Sequence, residues 1–168
     1  MNAIHRRTVG SLLQAVLVGL LAWAAGAAPV SVRQAVAAAR GWLTLMEADP
    51  LGSRLGKELS LLASIEDGSG DVLCHVAFLE RGGAVILAPD DAIEPVIAFT
   101  AKAETLWDPS PCNHLRLMIE ADLADRVAAV KQGEVKDAGS KAGKWALLIA
   151  TASDPMGVKA GLGSVSDV

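Results

Sequence analysis

The chain has little of what most chemistry requires. Its two cysteines, Cys74 and Cys112, lie far apart and form no C-x-x-C pair. It holds three histidines, one of them His5 near the N-terminus, too few for a zinc site of the usual kind. No G-x-G-x-x-G or Walker sequence occurs, so the common nucleotide-binding loops are excluded. No basic block occurs either, which argues against nucleic acid as a partner. No internal repeat is present.

What the chain does have is apolar bulk: 52% hydrophobic residues and a mean hydropathy of +0.38 over 168 residues. At that length one domain is expected. Part of the bulk is a leader. A short basic start with Arg6 and Arg7 precedes an uncharged run, Val9–Ala25, and Ala25-Gly26-Ala27 follows the A-x-A cleavage pattern. This is the layout of a secretory signal peptide. A cut after Ala28 would leave Pro29 at the next position, so the cut is expected after Ala27. The competing reading is a membrane anchor. The run of about 17 residues is at the short end for a span, and no basic stop-transfer cluster follows it. No cysteine closes the run, which argues against lipoprotein processing. Removing residues 1–27 takes away Arg6 and Arg7, leaving 13 basic against 19 acidic residues. The exported chain is mildly acidic, with charge too dispersed to name a partner. Export to an oxidising compartment allows a Cys74–Cys112 disulfide. The alternative is a buried Cys74 in a strand and a loop thiol at Cys112.

Along the mature chain, Ser31 is placed to cap a helix over 32–46. Its apolar stripe is Val32, Val36, Ala39, Leu43 and Met46. Asp49-Pro50 ends it. Residues 51–70 carry weak signals, with a short helix or strand around 59–65, and Asp67-Gly68-Ser69-Gly70 is a turn. Three strands are then expected. The first covers 72–80. Arg81-Gly82-Gly83 makes a hairpin-sized break. The second covers 84–88 and is apolar throughout, which places it centrally, covered on both faces. The third covers 95–100 and opens on Pro95, a permitted first position. Asn113 is placed to cap a helix over 114–132, with Leu115, Ile119, Leu123 and Val127 every fourth residue and Met118 and Val130 beside them. Residues 133–168 read as a Gly/Ser/Ala-rich linker or tail, with either a short strand or an anchored segment at 145–151. The order predicts an α+β domain over 28–132: a small antiparallel sheet of three to four strands with helices packed on one face.

Candidate chemistry is sparse. Asp90 and Asp91 are adjacent, so on a strand they point to opposite faces. At a strand end such residues accept backbone N–H bonds and close turns, and that role is favoured over metal or acid/base work. Cys74 and His75 diverge for the same reason. Cys112 and His114, two apart beside a Pro-rich loop, are the remaining thiol–imidazole pair, without an evident oxyanion hole or cleft. No catalytic, metal or cofactor site emerges, which favours a domain that binds.

The stretch CHVAFLERGGAVILAPDDAIEPVIAFT (74–100) resembles the pro-domain of streptopain-like secreted cysteine proteases and the related stand-alone inhibitors. The matching pieces are the strand His75–Leu79, the hairpin Gly82-Gly83, the strand Val85–Leu87, the doublet Asp90-Asp91, the strand opening Pro95-Val96-Ile97, and a helix following Pro111. The helix VRQAVAAARGWL also has its counterpart there. The resemblance covers about residues 31–132. Arg81 replaces the first of three glycines, Ala84 stands where an aromatic is usual, Ala88-Pro89 replaces Ser-Ala, and Ala92 replaces a frequent basic residue. The family's catalytic Cys and His lie further downstream, beyond Val168, so no catalytic role is carried over.

The resemblance implies a non-enzymatic, secreted or periplasmic protein without a cofactor. Its partner would be a streptopain-like cysteine protease catalytic domain, in cis or in trans, with no nucleic acid and no membrane after signal cleavage. It would cover the protease's active-site cleft. Gly82, Gly83, Asp90, Asp91 and Pro95 would be its structural signature. The alternative is the N-terminal fragment of a truncated protease precursor, acting only as an orphan secreted interaction module.

Overall fold

A computed structural model describes residues 27–46, 55–104 and 113–153. The elements are α1 (Val32–Leu45), β1 (Leu59–Glu66), β2 (Val72–Leu79), β3 (Ala84–Leu87), β4 (Val96–Thr100), α2 (His114–Lys131) and α3 (Ala138–Ser153). The strands form one antiparallel sheet in the order β1-β2-β3-β4, each neighbour in sequence a neighbour in space. The chain is an α+β fold. Residues 1–26 of the expected signal peptide over 1–27, the Asp49-Pro50 break and the Pro-rich loop with Cys112 lie outside the described residues.

Local chemistry accounts for the turns. The Ser31 hydroxyl accepts from the Gln34 N–H, and the Gln34 side chain reaches back to the Ser31 N–H, a complete capping box that starts α1. The Asp67 carboxylate accepts from the N–H groups of Ser69 and Asp71 and closes the β1–β2 hairpin. Those two backbone donors hold its carboxyl below the usual carboxylate range. Between β2 and β3, Gly82 and Gly83 both adopt positive φ, 89° and 92°. The Leu79 and Gly83 backbones bond across the turn. A Cβ on Gly83 would stand 2.7 Å from the Thr100 carbonyl oxygen, so that position requires glycine for conformation and for space.

Side-chain alternation divides the core into two. From β2 and β3, Ala77, Leu79, Val85 and Leu87 face α1 and α3, meeting Ala35, Ala38, Ala39, Leu43, Trp145 and Leu148. On the opposite face Cys74, Val76, Ala84 and Ile86 meet Leu123 of α2. Every residue of β3 is at most 1% exposed. Helices therefore cover both faces, which corrects the expectation of helices on one. The physical reason is the β3 sequence itself: a strand with apolar residues at every position requires a layer on each side.

A second correction concerns residues 138–153. They form α3 and pack along α1, so 145–151 is helix and not strand, and the linker expected over 133–168 does not include this stretch. Trp145 is buried, and its indole N–H donates to the Ile93 carbonyl at 3.0 Å, tying α3 to the β3–β4 connection. The close approach of α3 also explains which face of α1 is buried. Small residues, Ala35, Ala38, Ala39 and Gly41, are buried on α1 together with Leu43, while Val32 of the expected stripe is left 54% exposed. At Gly41 a Cβ would collide with the backbone carbonyl of Leu148.

This geometry separates two glycines that a propensity scale treats alike. Gly→Ala within a helix gains about 1 kcal/mol from propensity. Gly143 in α3 has open space around its Cβ position, so Gly143→Ala should stabilise by about 0.5–1 kcal/mol. At Gly41 the collision is with backbone, which cannot rotate away, so Gly41→Ala should destabilise by about 2–3 kcal/mol. Urea unfolding of both variants checks the pair. Equal, small effects would show that α3 does not pack on α1 at this distance.

Candidate interaction surface

Helix α2 begins where Asn113 accepts the Arg116 N–H on its side-chain oxygen at 3.2 Å. Arg116–Glu120 and Arg126–Asp122 pairs brace its flanks at 2.7 and 2.8 Å. Its apolar residues are spread around the axis, and only part of them reach the sheet. Leu123 is fully buried and Ile119 packs beside it, while Val127 and Val130 close on the other cluster. Leu115, Leu117 and Met118 stay in water at 47%, 49% and 69% exposure. On β1, Leu61 is 60% exposed and sits opposite Phe78, on the sheet face that α2 covers. Apolar side chains thus remain uncovered on the α2 half of the molecule.

The doublet lies at the opposite end of β3. The Asp90 carboxylate accepts from the Ala92 N–H at 2.9 Å, and the Asp90 carbonyl accepts from the Ile93 N–H. Burial raises the Asp90 carboxyl above its usual range. The Ala92 N–H opposes the rise, and the neighbouring Asp91 charge adds to it. Asp91 points elsewhere: its carboxylate accepts from the Ala28 N–H at 2.8 Å. The two carboxylates serve separate backbones and share no site. The Pro95 carbonyl accepts from the Ala88 N–H just before β4 begins. Gly82 and Gly83 belong to the β2–β3 hairpin. Among the described residues no group of His, Cys, Asp and Glu is placed to hold a metal ion.

Cys74 and His75 point to opposite faces of β2. Cys74 is a free thiol beneath α2, and burial pushes it up to about 12, with Glu120 adding to the rise. A thiol so far from ionisation is a poor nucleophile at neutral pH. The residue proposed to pair with it, Cys112, lies outside the described residues. His75 is bonded at both nitrogens. Nε2 stands 3.0 Å from the Val30 carbonyl, which can only accept, so the proton is on Nε2 and Nδ1 accepts from the Ser64 hydroxyl at 2.9 Å. Sequence reasoning missed this pair. Ser64 and His75 meet only through the β1–β2 register, eleven positions apart, and no local spacing marks them. A serine against an imidazole has the outline of a nucleophile and base. Here the ring is buried in the sheet, and its second bond goes to the segment Ala28–Val30, which it fastens to β2. The pair acts as a structural clasp.

No family model, curated protein or solved structure matches the chain.

The clasp has a pH signature. Burial lowers the His75 pKa from 6.5, with the Val30 bond opposing. A histidine whose folded pKa is lowered contributes stability above the unfolded value and loses it as pH falls below that value. Asp90, raised on folding, acts with the opposite sign at lower pH, gaining stability as it takes up its proton. The melting temperature of the wild-type protein should therefore fall between about pH 6.5 and 5, and fall less steeply in His75→Gln. Parallel curves for the two proteins would remove His75 as the cause.

Proposed function

We propose that the chain is a secreted inhibitory pro-domain, or a stand-alone inhibitor, that covers the active-site cleft of a streptopain-like cysteine protease without a covalent bond. The observation that carries the reading is the uncovered apolar set Leu115, Leu117 and Met118 on α2, held on a sheet built by the motif residues 74–100. The resemblance supplies the kind of partner, and the exposed apolar side chains of α2 supply groups with which to meet it.

The chemistry favours binding over catalysis. The free thiol is buried and hard to ionise, and the imidazole is committed at both nitrogens. The fold is braced by a covering layer on each side of the sheet, so its surface is preformed and little ordering entropy opposes docking. Burying the exposed Leu115, Leu117 and Met118 side chains against a partner would remove apolar surface from water. In this reading export brings the protein to the protease, the partner is held in cis or in trans, and neither a cofactor nor nucleic acid is involved.

The test is inhibition. The exported protein at micromolar concentration should slow a streptopain-like protease, and Met118→Asp should weaken the inhibition roughly tenfold or more while leaving the melting temperature unchanged. A side chain 69% exposed has little packing to lose. No slowing by the wild-type protein would end the inhibitor reading. Full inhibition by Met118→Asp would move the contact away from α2.

A further inference from the structure

The residues that follow the expected cleavage point are built into the fold. Ala28 and Asp91 exchange two bonds: the Ala28 N–H donates to the Asp91 carboxylate at 2.8 Å, and the Asp91 N–H donates to the Ala28 carbonyl at 3.0 Å. Pro29 bridges to Asp90, and the Val30 N–H donates to the Pro89 carbonyl at 2.7 Å. His75 holds the Val30 carbonyl from the other side. Ala28–Val30 is thus a short extra strand laid against Pro89–Asp91, and it begins at the residue that a cut after Ala27 would expose.

We infer that Asp91 is the receptor for the processed N-terminus: cleavage of the Ala27–Ala28 bond creates an α-ammonium that forms an ion pair with the Asp91 carboxylate and locks the mature fold. The inference rests on the export reading and is independent of the protease partner. Hydrolysis consumes one water and leaves a carboxylate on Ala27 and an amine on Ala28, which takes up a proton at neutral pH. Before the cut, Ala28 donates through a neutral amide. After it, the same nitrogen carries a positive charge 2.8 Å from a carboxylate oxygen, and a charge-assisted bond of this kind is about twice as strong as a neutral one. Processing would then stabilise the domain as well as release it.

The surroundings favour a cation at this point. Asp90 lies beside Asp91 and is bridged to Pro29. A groove of about 440 Å³ runs along the segment, lined by Ala27, Pro29, Val30, Asp90, Asp71 and Lys131 among others. Lys131 is the basic group there, and it is paired with Asp71. Asp90 and Asp91 leave net negative charge for the new ammonium to meet.

The experiment uses the protein secreted from an expressing cell. Its intact mass should correspond to a chain beginning at Ala28, and any other start overturns the inference. Asp91→Asn keeps the acceptor oxygen and removes the charge. At about pH 7 it should lower the melting temperature by about 2–4 °C. At about pH 10.5, where the amine has lost its proton, the difference should vanish. A loss of equal size at both pH values, or one that survives carbamylation of the amine, overturns the ion pair. Should Asp91→Asn fail to fold, titration of the Ala28 α-amine in the wild-type protein decides: a value raised above the ordinary α-amine range supports the lock, and an ordinary value overturns it. Failure of protease inhibition, by contrast, would leave all of these results untouched.

Discussion

Strand β3 has no face in water. Ala84, Val85, Ile86 and Leu87 are each at most 1% exposed, and their alternation sends two side chains into each half of the core. Fully burying a Val, Leu or Ile side chain contributes about 1.5–3 kcal/mol, and that gain requires a layer on both sides. α1 and α3 supply one layer and α2 the other. Remove either and β3 is half exposed, with the sheet facing water along its most apolar strand. The glycine hairpin, the Asp90 turn and the buried Trp145 bond all fix β3, or the chain on either side of it, between these layers.

Much of the sheet was legible because its signals are local. A glycine pair with positive φ, a proline at a strand entry and a carboxylate that closes a turn act within a few residues of themselves. Ser31 and Asn113 announce their helices in the same way. The side chains that cover the sheet were less legible. The unbroken apolar run at 84–88 already demanded two layers, yet the segment that completes the first layer looks like a linker. Gly139, Gly143, Ser140 and Ala142 give α3 the composition of a loop, and its apolar residues, Trp145, Leu148 and Ile149, sit in one half. Tertiary packing against α1 outweighs the weak propensity. The small residues that obscured α3 have their counterpart in α1, where Gly41 allows the two backbones to approach.

The polar links escaped sequence reading for a related reason. Ser64–His75, Ala28–Asp91 and Trp145–Ile93 join positions brought together by register and docking. Each fastens a peripheral segment to the sheet: the N-terminal segment through His75 and Asp91, and α3 through Trp145. Adjacent residues of the same type accordingly do different work. Asp90 serves its own turn, and Asp91 serves the segment Ala28–Val30.

The functional proposal depends on the same division of labour. A sheet closed on both faces makes a rigid support, and the apolar side chains it does not absorb are left on α2. Amide hydrogen exchange of the protein, alone and mixed with a streptopain-like protease, tests this most directly. The account predicts that β3 and α3 are strongly protected in both samples and that exchange in the first half of α2, around Leu115–Ile119, slows on mixing. Unprotected amides in α3, or an α2 that exchanges at the same rate with and without the protease, would contradict it.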